Sequence, residues 1–486
     1  MNKNIVTLGG MNPKEFRKVG KEVVDWIADY LKDAEKYPVF SKVKPGDIKR
    51  QLPATPPASS EKMETILEDF NKIIMPGITH WNHPGFHAYF SITGSAPGIL
   101  GEMLSAALNV NGMLWQTSPS ATELEEVVLD WLRQMLELPS EFRGVITDSG
   151  STSNLIAITA AREAIHKRVR EEGLAGRTDL PRLRLYCSDQ THSSIEKAAI
   201  VLGVGQEGVR KISSDAEFRM NVEALAAALE EDKRNGWLPF AVVATVGTTS
   251  STSIDPVPAI ADICQREKIW LHVDAAYGGM AAIIPEMRNV LDGCNRSDSF
   301  VTNPHKWLFT PIDCSALFTR HVDTLKQAFS LVPEYLTTSE NNVNNYMDWG
   351  VQLGRRFRSL KLWFVIRSFG VEGIMSRLRE HCQLARELAS WVDADKDFER
   401  LAPVPLSVVC FRYHPKGISN EIKLEQLNTL IIERMNATGE VFLSHTKLNG
   451  KYTIRCAIGN LATTEKHVIR MWKLLKAEVL QIHTGD

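Results

Sequence analysis

A lysine and an aspartate in this sequence have the types and the setting to do chemistry together. Lys306 lies in the segment TNPHKW (302–307), and Asp274 directly follows residues 269–273, an apolar run typical of a buried β-strand. An isolated loop lysine is usually a solvated surface charge, so its neighbours decide the interpretation. Because α/β sheets place their ligand sites at the carboxyl ends of their strands, we expect Asp274 at such a site. A carboxylate buried there needs a cationic or hydrogen-bonding partner.

A pyridine nitrogen is a suitable partner for Asp274. An ionised carboxylate beside that nitrogen keeps the ring protonated, and a protonated ring accepts the electrons of a developing carbanion. Lys306 can form an imine with an aldehyde on the same ring, provided that its site lowers its pKa from the ~10 of a free amine or relays its proton. The pair therefore predicts a site for a pyridine-aldehyde cofactor.

A third segment predicts an anion site. Residues 145–151, VITDSGS, have the pattern of a strand followed by a turn of small residues, and a helical run begins near Ser153. Backbone N–H groups and hydroxyls at the start of a helix suit a phosphate monoester. Taken alone, the same pattern also fits plain helix capping.

The surrounding segments predict the elements that position these residues. From about Trp81 onward, short β-branched runs alternate with helical patterns, as in α/β folds with a mostly parallel sheet. Strands are predicted over residues 183–187, 240–246 and 269–273. Asn12 before Pro13 predicts the start of an N-terminal amphipathic helix, and the prolines of residues 37–57 predict an extended connector.

The last part of the chain predicts a small α+β domain. Strands are expected over residues 406–411, 439–444 and 452–457, and Asn449-Gly450 is a favoured hairpin dipeptide. We therefore predict three parts: an N-terminal helical arm (1–85), a large α/β domain that binds the cofactor (86–373) and a small C-terminal domain (374–486).

Composition argues against several classes of protein. A net charge of -2 over 486 residues provides no global field to attract nucleic acid or an anionic membrane. The seven cysteines include no C-x-x-C pair, so neither a metal site nor a disulfide framework is expected. The first ten residues lack the basic and apolar regions of a signal peptide, and no apolar run approaches the ~20 residues that span a bilayer. We expect a cytoplasmic enzyme.

Together, HVDAAYGG (272–279) and NPHKW (303–307) resemble the group II pyridoxal-phosphate-dependent decarboxylases, in particular the aromatic-L-amino-acid decarboxylase branch. The resemblance continues in order through MPGITHW (75–81), SPSATELE (118–125), DQTHSS (189–194), GTT (247–249) and LGRRFRSLKLWFV (353–365). It implies a fold-type-I enzyme with a seven-stranded sheet, pyridoxal 5'-phosphate as cofactor, and a homodimer with its active site at the subunit interface. The N-terminal arm of one subunit would pack on the other.

The resemblance also implies roles for individual residues. Lys306 would carry the cofactor, Asp274 would hold its ring nitrogen, and His192 would stack on the ring, although a single histidine is more often structural. The other residues implied to bind the cofactor are Ser149, Gly150, Ser151, Thr249, Ala276, Asn303 and His305.

The type of product depends on two of these positions. Tyr335 matches a tyrosine on a catalytic lid that protonates the substrate α-carbon after carbon dioxide leaves. Related aldehyde-forming enzymes usually carry phenylalanine at this position or asparagine at the position of His192. Amine formation is therefore preferred. Oxidative decarboxylation to the aldehyde is the alternative, and transamination is less favoured. A protein that keeps the fold as a non-catalytic binding scaffold is the alternative outside the enzymes.

The substrate prediction rests on the implied pocket. Its implied residues are Trp81, Tyr89, Phe90, Ile92, Asn111, Met113 and Gly354. Gly354 stands where some relatives have serine, and the smaller residue leaves room for a bicyclic ring, which favours tryptophan. The sequence departs from animal members at Ser91 and Ile92 and also at Asn111 and Met113, and it leaves open whether Arg355, Arg356 and Arg358 bind an anion or form structural ion pairs.

Overall fold

The computed structural model describes residues 10–331 and 343–484, which form two compact units. The smaller unit contains residues 10–87, 429–443 and 462–484, and the larger contains residues 88–428, with the gap at 332–342, and 444–461. The three parts predicted from the sequence, with boundaries at 85/86 and 373/374, stay a prediction.

The α-helices within the described ranges are α1 Pro13–Lys32, α2 Asp47–Gln51, α3 Met63–Asp69, α4 Ala96–Leu108, α5 Pro119–Met135, α6 Gly150–Glu163, α7 Val169–Glu172, α8 Ser194–Val201, α9 Val222–Arg234, α10 Val257–Glu267, α11 Pro304–Trp307, α12 Val322–Phe329, α13 Arg358–Ala394, α14 Glu421–Ala437 and α15 Glu465–Thr484. Helix α13 is broken at Gly370, whose φ of 63° is left-handed. None of the described helices has both the length and the apolar character that crossing a membrane requires.

The strands are β1 Arg143–Thr147, β2 Leu183–Ser188, β3 Val209–Ile212, β4 Leu238–Thr245, β5 Trp270–Asp274, β6 Ser299–Thr302, β7 Ser315–Thr319, β8 Phe398–Arg400, β9 Val408–Tyr413, β10 Ser444–Leu448 and β11 Lys451–Ala457. All of them belong to the larger unit.

A seven-stranded sheet forms the centre of the larger unit, in the order β1-β7-β6-β5-β4-β2-β3. Strand β7 is antiparallel to both neighbours, and the other pairs are parallel. Strands such as β4 and β5 are buried on both faces, which explains their continuous apolar character. The predicted α/β fold with a mostly parallel sheet is confirmed.

The second sheet is antiparallel, in the order β10-β11-β9-β8. The predicted hairpin turn is present, since Asn449 and Gly450 have φ angles of 49° and 77°, the positive values that such a tight turn needs. The strand predicted over residues 439–444 is wrong, because β10 begins at Ser444. The run Val441–Leu443 is buried outside any strand, whereas β10 is half exposed and has the polar sequence SHTKL.

The N-terminal helix begins where the sequence predicts. The Asn12 side chain accepts hydrogen bonds from the backbone N–H groups of Lys14 and Glu15, at 3.0 and 2.9 Å, and Pro13 is the first helical residue. The connector over residues 37–57 is not extended throughout, because it contains the short helix α2.

Candidate active site

One cavity of about 210 Å³ lies at the carboxyl ends of the parallel strands in the larger unit. It is lined by every residue predicted to bind the cofactor, namely Ser149, Gly150, Ser151, His192, Thr249, Asp274, Ala276, Asn303, His305 and Lys306, and by Phe90 from the predicted substrate pocket. It is also lined by five residues that the sequence reasoning missed, Asn154, Ser194, Thr245, Gly247 and Tyr277. Segments far apart in the sequence thus converge on one site.

Lys306 lies in the one-turn helix α11, which follows β6. Its amine nitrogen, Nζ, is 5.3 Å from the centre of the Phe90 ring. Burial lowers the pKa of Lys306 below its usual value; the negative charge of Asp274 opposes this shift, and the positive charge of Arg455 adds to it. An amine with a lowered pKa is a better nucleophile at neutral pH.

Asp274 is the last residue of β5 and is almost fully buried. One carboxylate oxygen accepts a hydrogen bond from Asn154 Nδ2 at 2.9 Å, and the other accepts one from the Ala276 N–H at 3.0 Å. Asp274 forms no salt bridge with any described residue, and both hydrogen bonds to its carboxylate come from neutral donors, while the charge of Lys306 acts on it without direct contact. The site therefore favours a bound cation next to this carboxylate.

The turn between β1 and α6 carries the residues that the sequence predicts to form an anion site. Helix α6 begins at Gly150, three residues earlier than the sequence predicts, because Ser149 is its N-cap and accepts a hydrogen bond from the Thr152 N–H at 3.2 Å. A Cβ atom on Gly150 would lie 2.8 Å from Asn303 Nδ2, so only glycine permits this close approach. The Asn303 Oδ1 atom accepts a hydrogen bond from Ser315 Oγ at 2.7 Å, which leaves the amide N–H groups as donors.

Two histidines line the cavity in neutral form. His192 lies in the turn before α8, and its partial burial lowers its pKa, an effect that the charge of Lys306 strengthens and that of Asp274 opposes. His305 is buried, which lowers its pKa to about 3. Its Nδ1 accepts a hydrogen bond from the Cys314 N–H at 3.0 Å, so its Nε2 carries the proton and can donate.

Stacked aromatic rings form one wall of the cavity. The Phe90 ring packs on Tyr277 with 3.8 Å between ring centres, and Tyr277 packs on Trp307 at 4.6 Å. The guanidinium of Arg455, on β11, lies 4.7 Å from the centre of the Phe90 ring and donates a hydrogen bond to the Thr249 carbonyl oxygen at 2.9 Å. The Arg455 Nη2 atom has no hydrogen-bond partner among the described residues. No motif marks this arginine in the sequence, and only the folded chain brings it to the site.

Several residues of the predicted substrate pocket lie away from this cavity. Asn111, Met113 and Gly354 form a separate cluster, in which Asn111 Nδ2 is 3.4 Å from Met113 Sδ. Asn111 Oδ1 accepts a hydrogen bond from the Arg355 N–H at 2.9 Å.

The other predicted pocket residues are also placed individually. Tyr89 is exposed, and Ile92 is half-buried and does not line the cavity. Trp81 belongs to the smaller unit, where it stacks on Phe86 with 4.3 Å between ring centres. Tyr335 lies outside the described residues. The substrate and lid roles of all these residues stay predictions.

Three arginines that the sequence left unassigned form ion pairs within the protein. The pairs are Arg355 with Glu125 at 2.6 Å, Arg356 with Glu102, and Arg358 with Asp313 at 3.0 Å. Their carboxylate partners favour the structural interpretation over anion binding.

The part of the chain that the structure describes contains neither a disulfide nor a metal-binding cluster. All seven cysteines are buried and unpaired, and no cluster of three or more histidine, cysteine or acidic side chains has the geometry to hold a metal ion.

Known proteins resemble this chain along nearly its whole length. The model of the pyridoxal-dependent decarboxylase conserved domain matches residues 45–414. Tyrosine decarboxylase 4 of Petroselinum crispum is 42% identical over 480 residues, covering 96% of this chain and 93% of the relative. Phenylacetaldehyde synthase of Arabidopsis thaliana is also 42% identical, over 479 residues and 96% of both chains. The crystal structure of Oryza sativa TDC with PLP and tryptamine matches with a TM-score of 0.93 and 38% identity, covering 97% of this chain and 99% of that one.

Proposed function

Because this chain belongs to the pyridoxal-dependent decarboxylase family, we propose that it decarboxylates L-tryptophan in preference to other aromatic amino acids and releases the arylalkylamine and carbon dioxide. At the level of the family, it is a group II carboxy-lyase that acts on aromatic amino acids, with pyridoxal phosphate as its cofactor and a fold-type-I architecture. Tryptophan as substrate, the amine as product and the role of each residue are the proposal.

The observation that carries the proposal is the meeting of four groups in one cavity. A lysine with a lowered pKa, a buried carboxylate without a cationic partner, a neutral histidine and the start of a helix line the same space. These groups match the aldehyde, the ring nitrogen, the ring face and the phosphate of pyridoxal phosphate, in that order. A cluster of surface residues, or a network that only stabilises the fold, does not require a lysine, a carboxylate, a histidine and a helix start around one cavity.

The residues at the helix start fit the phosphate of the cofactor. Asn303 lies so close to Gly150 that any Cβ at residue 150 would collide with its amide, so glycine lets this amide lie directly against the start of the helix. Ser151 and the Asn303 amide add further donors, while His305 adds an Nε2–H. We assign the phosphate to this set of donors.

The ring end of the cavity fits the chemistry of decarboxylation. When bound, pyridoxal phosphate supplies a protonated ring that withdraws the electrons left on the α-carbon as carbon dioxide departs. Asp274 would keep the proton on the ring nitrogen, because loss of that proton would leave the buried carboxylate without a cation. Lys306 would bind the aldehyde, and His192 would pack on the ring and orient the substrate.

The amine is proposed as product because His192 and Tyr335 are both present. A phenol can deliver a proton to the α-carbon in a site that excludes water and oxygen. The test measures carbon dioxide, amine, ammonia and peroxide together. We expect one amine per carbon dioxide from the wild type, and aldehyde, ammonia and peroxide in place of amine from Tyr335→Phe. An equal amine yield from both proteins would reject the role of Tyr335.

Oxidative decarboxylation to the aldehyde is the second candidate, favoured by the 42% identity to a phenylacetaldehyde synthase. Peroxide and ammonia in amounts equal to carbon dioxide from the wild-type protein would establish it. A non-catalytic scaffold is the third, and it predicts no spectral band from bound cofactor. We expect a band near the visible edge in the wild type that is absent from Lys306→Ala.

Tryptophan is preferred on the basis of Gly354. Gly354 is exposed and lies outside the cavity described above, and a Cβ atom on it would meet only Asn111 Nδ2, at 3.8 Å, so a serine could be accommodated there. The test compares kcat/KM for tryptophan, tyrosine, phenylalanine, DOPA and 5-hydroxytryptophan. We expect tryptophan to lead, and Gly354→Ser to shift the preference towards the phenolic substrates. An unchanged order in the variant would remove Gly354 from the pocket.

A homodimer is proposed from the two faces of α4. The small residues Gly98 and Gly101 are buried, and a Cβ on Gly101 would lie 2.8 Å from the Lys361 Cα atom in α13. The opposite face carries large apolar side chains that are all exposed, Leu100, Met103, Leu104 and Leu108. A surface helix normally presents polar residues to solvent, so this face is suited to a second copy of the chain.

The dimer is tested by placing charges on this face. We expect Leu104→Glu combined with Leu108→Glu to give monomers in size-exclusion chromatography with light scattering. Val201→Glu is the control, because Val201 is 70% exposed on another helix. A stable dimer of the α4 variant would exclude this face as the interface.

A further inference from the structure

Strand β5 presents three polar or aromatic side chains to one face of the sheet. Alternate residues of a strand point to the same side, so Trp270, His272 and Asp274 share a face, while Leu271 and Val273 pack into the core on the other. On the neighbouring strand β6, Ser299 is the register partner of His272. All three side chains on this face are buried, so each polar group needs a partner there.

Hydrogen bonds connect this face to helix α6. Trp270 Nε1 donates to Ser299 Oγ at 2.8 Å, and Ser299 Oγ is 2.8 Å from His272 Nδ1. The other ring nitrogen, His272 Nε2, is 2.9 Å from Asn154 Oδ1. Asn154 is fully buried and lies in α6, one turn after the helix start that lines the cavity.

The amide of Asn154 then connects to both predicted catalytic groups. Its Nδ2 donates to Asp274 Oδ2 and to Ser194 Oγ, each at 2.9 Å. Ser194 Oγ is in turn 2.9 Å from His192 Nδ1, and the Ser194 backbone N–H donates to the same nitrogen at 3.2 Å. One amide side chain thus holds Asp274 directly and His192 through one serine.

The chemistry at the two ends determines the direction of every hydrogen bond in this chain. The indole of Trp270 can only donate, so Ser299 Oγ accepts from it. The carboxylate of Asp274 can only accept, so Asn154 must turn its NH2 group towards it. The Asn154 oxygen then accepts a hydrogen bond from His272 Nε2–H, so Nδ1 of the neutral ring has no proton and accepts from the Ser299 hydroxyl.

The same logic determines the tautomer of His192. Ser194 Oγ accepts from Asn154, which leaves its own O–H group available to donate to His192 Nδ1. The backbone N–H of Ser194 also points at Nδ1, so this nitrogen receives two donors and carries no proton of its own. The single proton of the neutral ring must then lie on Nε2, in a side chain that lines the cavity.

We propose that His272 and Asn154 are positioning residues which, through Ser194, hold His192 as the Nε2–H tautomer and orient the carboxylate of Asp274 with the same amide. This inference rests on the proposed function, in which His192 and Asp274 contact the cofactor. Burial lowers the pKa of His272 to about 4, so its ring stays neutral at physiological pH and the direction of these hydrogen bonds does not change. An imidazole that always presents Nε2–H offers the substrate a donor in a constant position.

The first experiment reads the tautomer directly. In protein labelled with 15N-histidine, the ring nitrogens of His192 are assigned by their loss in His192→Gln and measured with and without pyridoxal phosphate. We expect an unprotonated Nδ1 and a protonated Nε2 in both states of the wild type. A protonated Nδ1 in the wild type would overturn the proposal.

Ser194 variants test the connection. Ser194→Ala removes the hydroxyl donor to the neutral ring, so we expect the pKa of His192 to rise by roughly 0.7, the equivalent of one hydrogen bond, in an NMR titration of cofactor-free protein. Lys306, Asp274 and Lys197 also act on His192, and they are the same in each variant. Ser194→Thr keeps a hydroxyl and should restore the wild-type value, and Ser193→Ala, at an exposed neighbour, is the matched control. A pKa that is the same in Ser194→Ala and in wild type would contradict the connection.

His272 variants test the far end of the chain. His272→Gln retains an N–H donor towards Asn154, whereas His272→Leu does not. We expect His272→Leu to give a mixture of His192 tautomers and at least fivefold weaker binding of pyridoxal phosphate, and His272→Gln to recover much of both. Equal behaviour of the two variants would count against positioning.

The outcomes separate this inference from the proposed function. A wild-type protein that decarboxylates amino acids but has a protonated Nδ1 on His192 retains the function and rejects the hydrogen-bond chain. A protein with the expected tautomer and no decarboxylation rejects the function alone.

Discussion

Replacing Asp274 with asparagine is expected to weaken the binding of pyridoxal phosphate without preventing folding. The Asp274 carboxylate has neutral donors and no salt bridge among the described residues, so a bound ring cation would supply its missing counter-charge. A hydrogen bond to a charged group contributes about 1.5–3 kcal/mol, which corresponds to roughly 10- to 150-fold in affinity.

The structure also predicts how this variant affects stability. An asparagine has one acceptor oxygen, so it can satisfy either Asn154 Nδ2 or the Ala276 N–H, but not both. The unsatisfied donor costs about 1–3 kcal/mol, partly offset because the buried charge is gone. This cost is present with and without cofactor, so it cancels from the affinity and changes only the thermal unfolding of the cofactor-free protein.

The assay is an equilibrium titration of cofactor-free protein with pyridoxal phosphate, followed by absorbance. Asp148→Asn is the matched control, because Asp148 precedes the N-cap of α6, is half-buried and does not line the cavity. Removing its negative charge near the proposed phosphate site should leave affinity unchanged or increase it. Wild-type affinity for Asp274→Asn, or equal weakening in both variants, would refute the reasoning.

Three further predictions concern the site and its support. Arg455→Gln removes a cation that lowers the pKa of Lys306, so the pH dependence of pyridoxal phosphate binding should move to higher pH. Arg455→Lys should keep the wild-type pH dependence, and an unchanged pH dependence for Arg455→Gln would exclude the electrostatic effect. Arg355→Met leaves the buried Glu125 carboxylate unpaired and should cost about 3–5 kcal/mol in the free energy of unfolding, and adding Glu125→Gln should recover part of it, which chemical denaturation of the three proteins can measure. Gly150→Ala forces a collision with the neighbouring amide and should weaken the binding of pyridoxal phosphate at least fivefold in the same titration used above, with wild-type affinity as the contrary result.

Much of the fold could be predicted from local patterns. The apolar runs that became β2, β4 and β5 are continuous because both of their faces are buried, and such runs are visible in a sequence. Asn12 and Asn449-Gly450 each act on their own neighbours, so their helix cap and hairpin turn needed no tertiary information. Strand β10 was misplaced because its half-exposed, polar residues carry little of that signal.

The residues of the candidate site also divide into those that local patterns predict and those that only the fold identifies. Lys306, Asp274 and the turn at Ser149–Ser151 each lie beside a strand end, and a site there follows from the rule that parallel strands place their carboxyl ends together. No sequence pattern identifies Asn154 as a residue of the site. It is a polar residue of α6, and it contacts Asp274, 120 residues away along the chain, only because α6 packs against β5. Ser194 and Arg455 are recognised only by the same kind of distant contact.

The sequence by itself predicted the residues of the candidate site and determined the cofactor class and the type of sheet, because these depend on residue types and on periodicities within short segments. Only the tertiary structure decided which polar groups share hydrogen bonds, which arginines are neutralised and which ring nitrogen of His192 carries the proton. The physical reason is that burial and the choice of hydrogen-bond partner belong to pairs of segments brought together by folding, and neither segment specifies the pair alone.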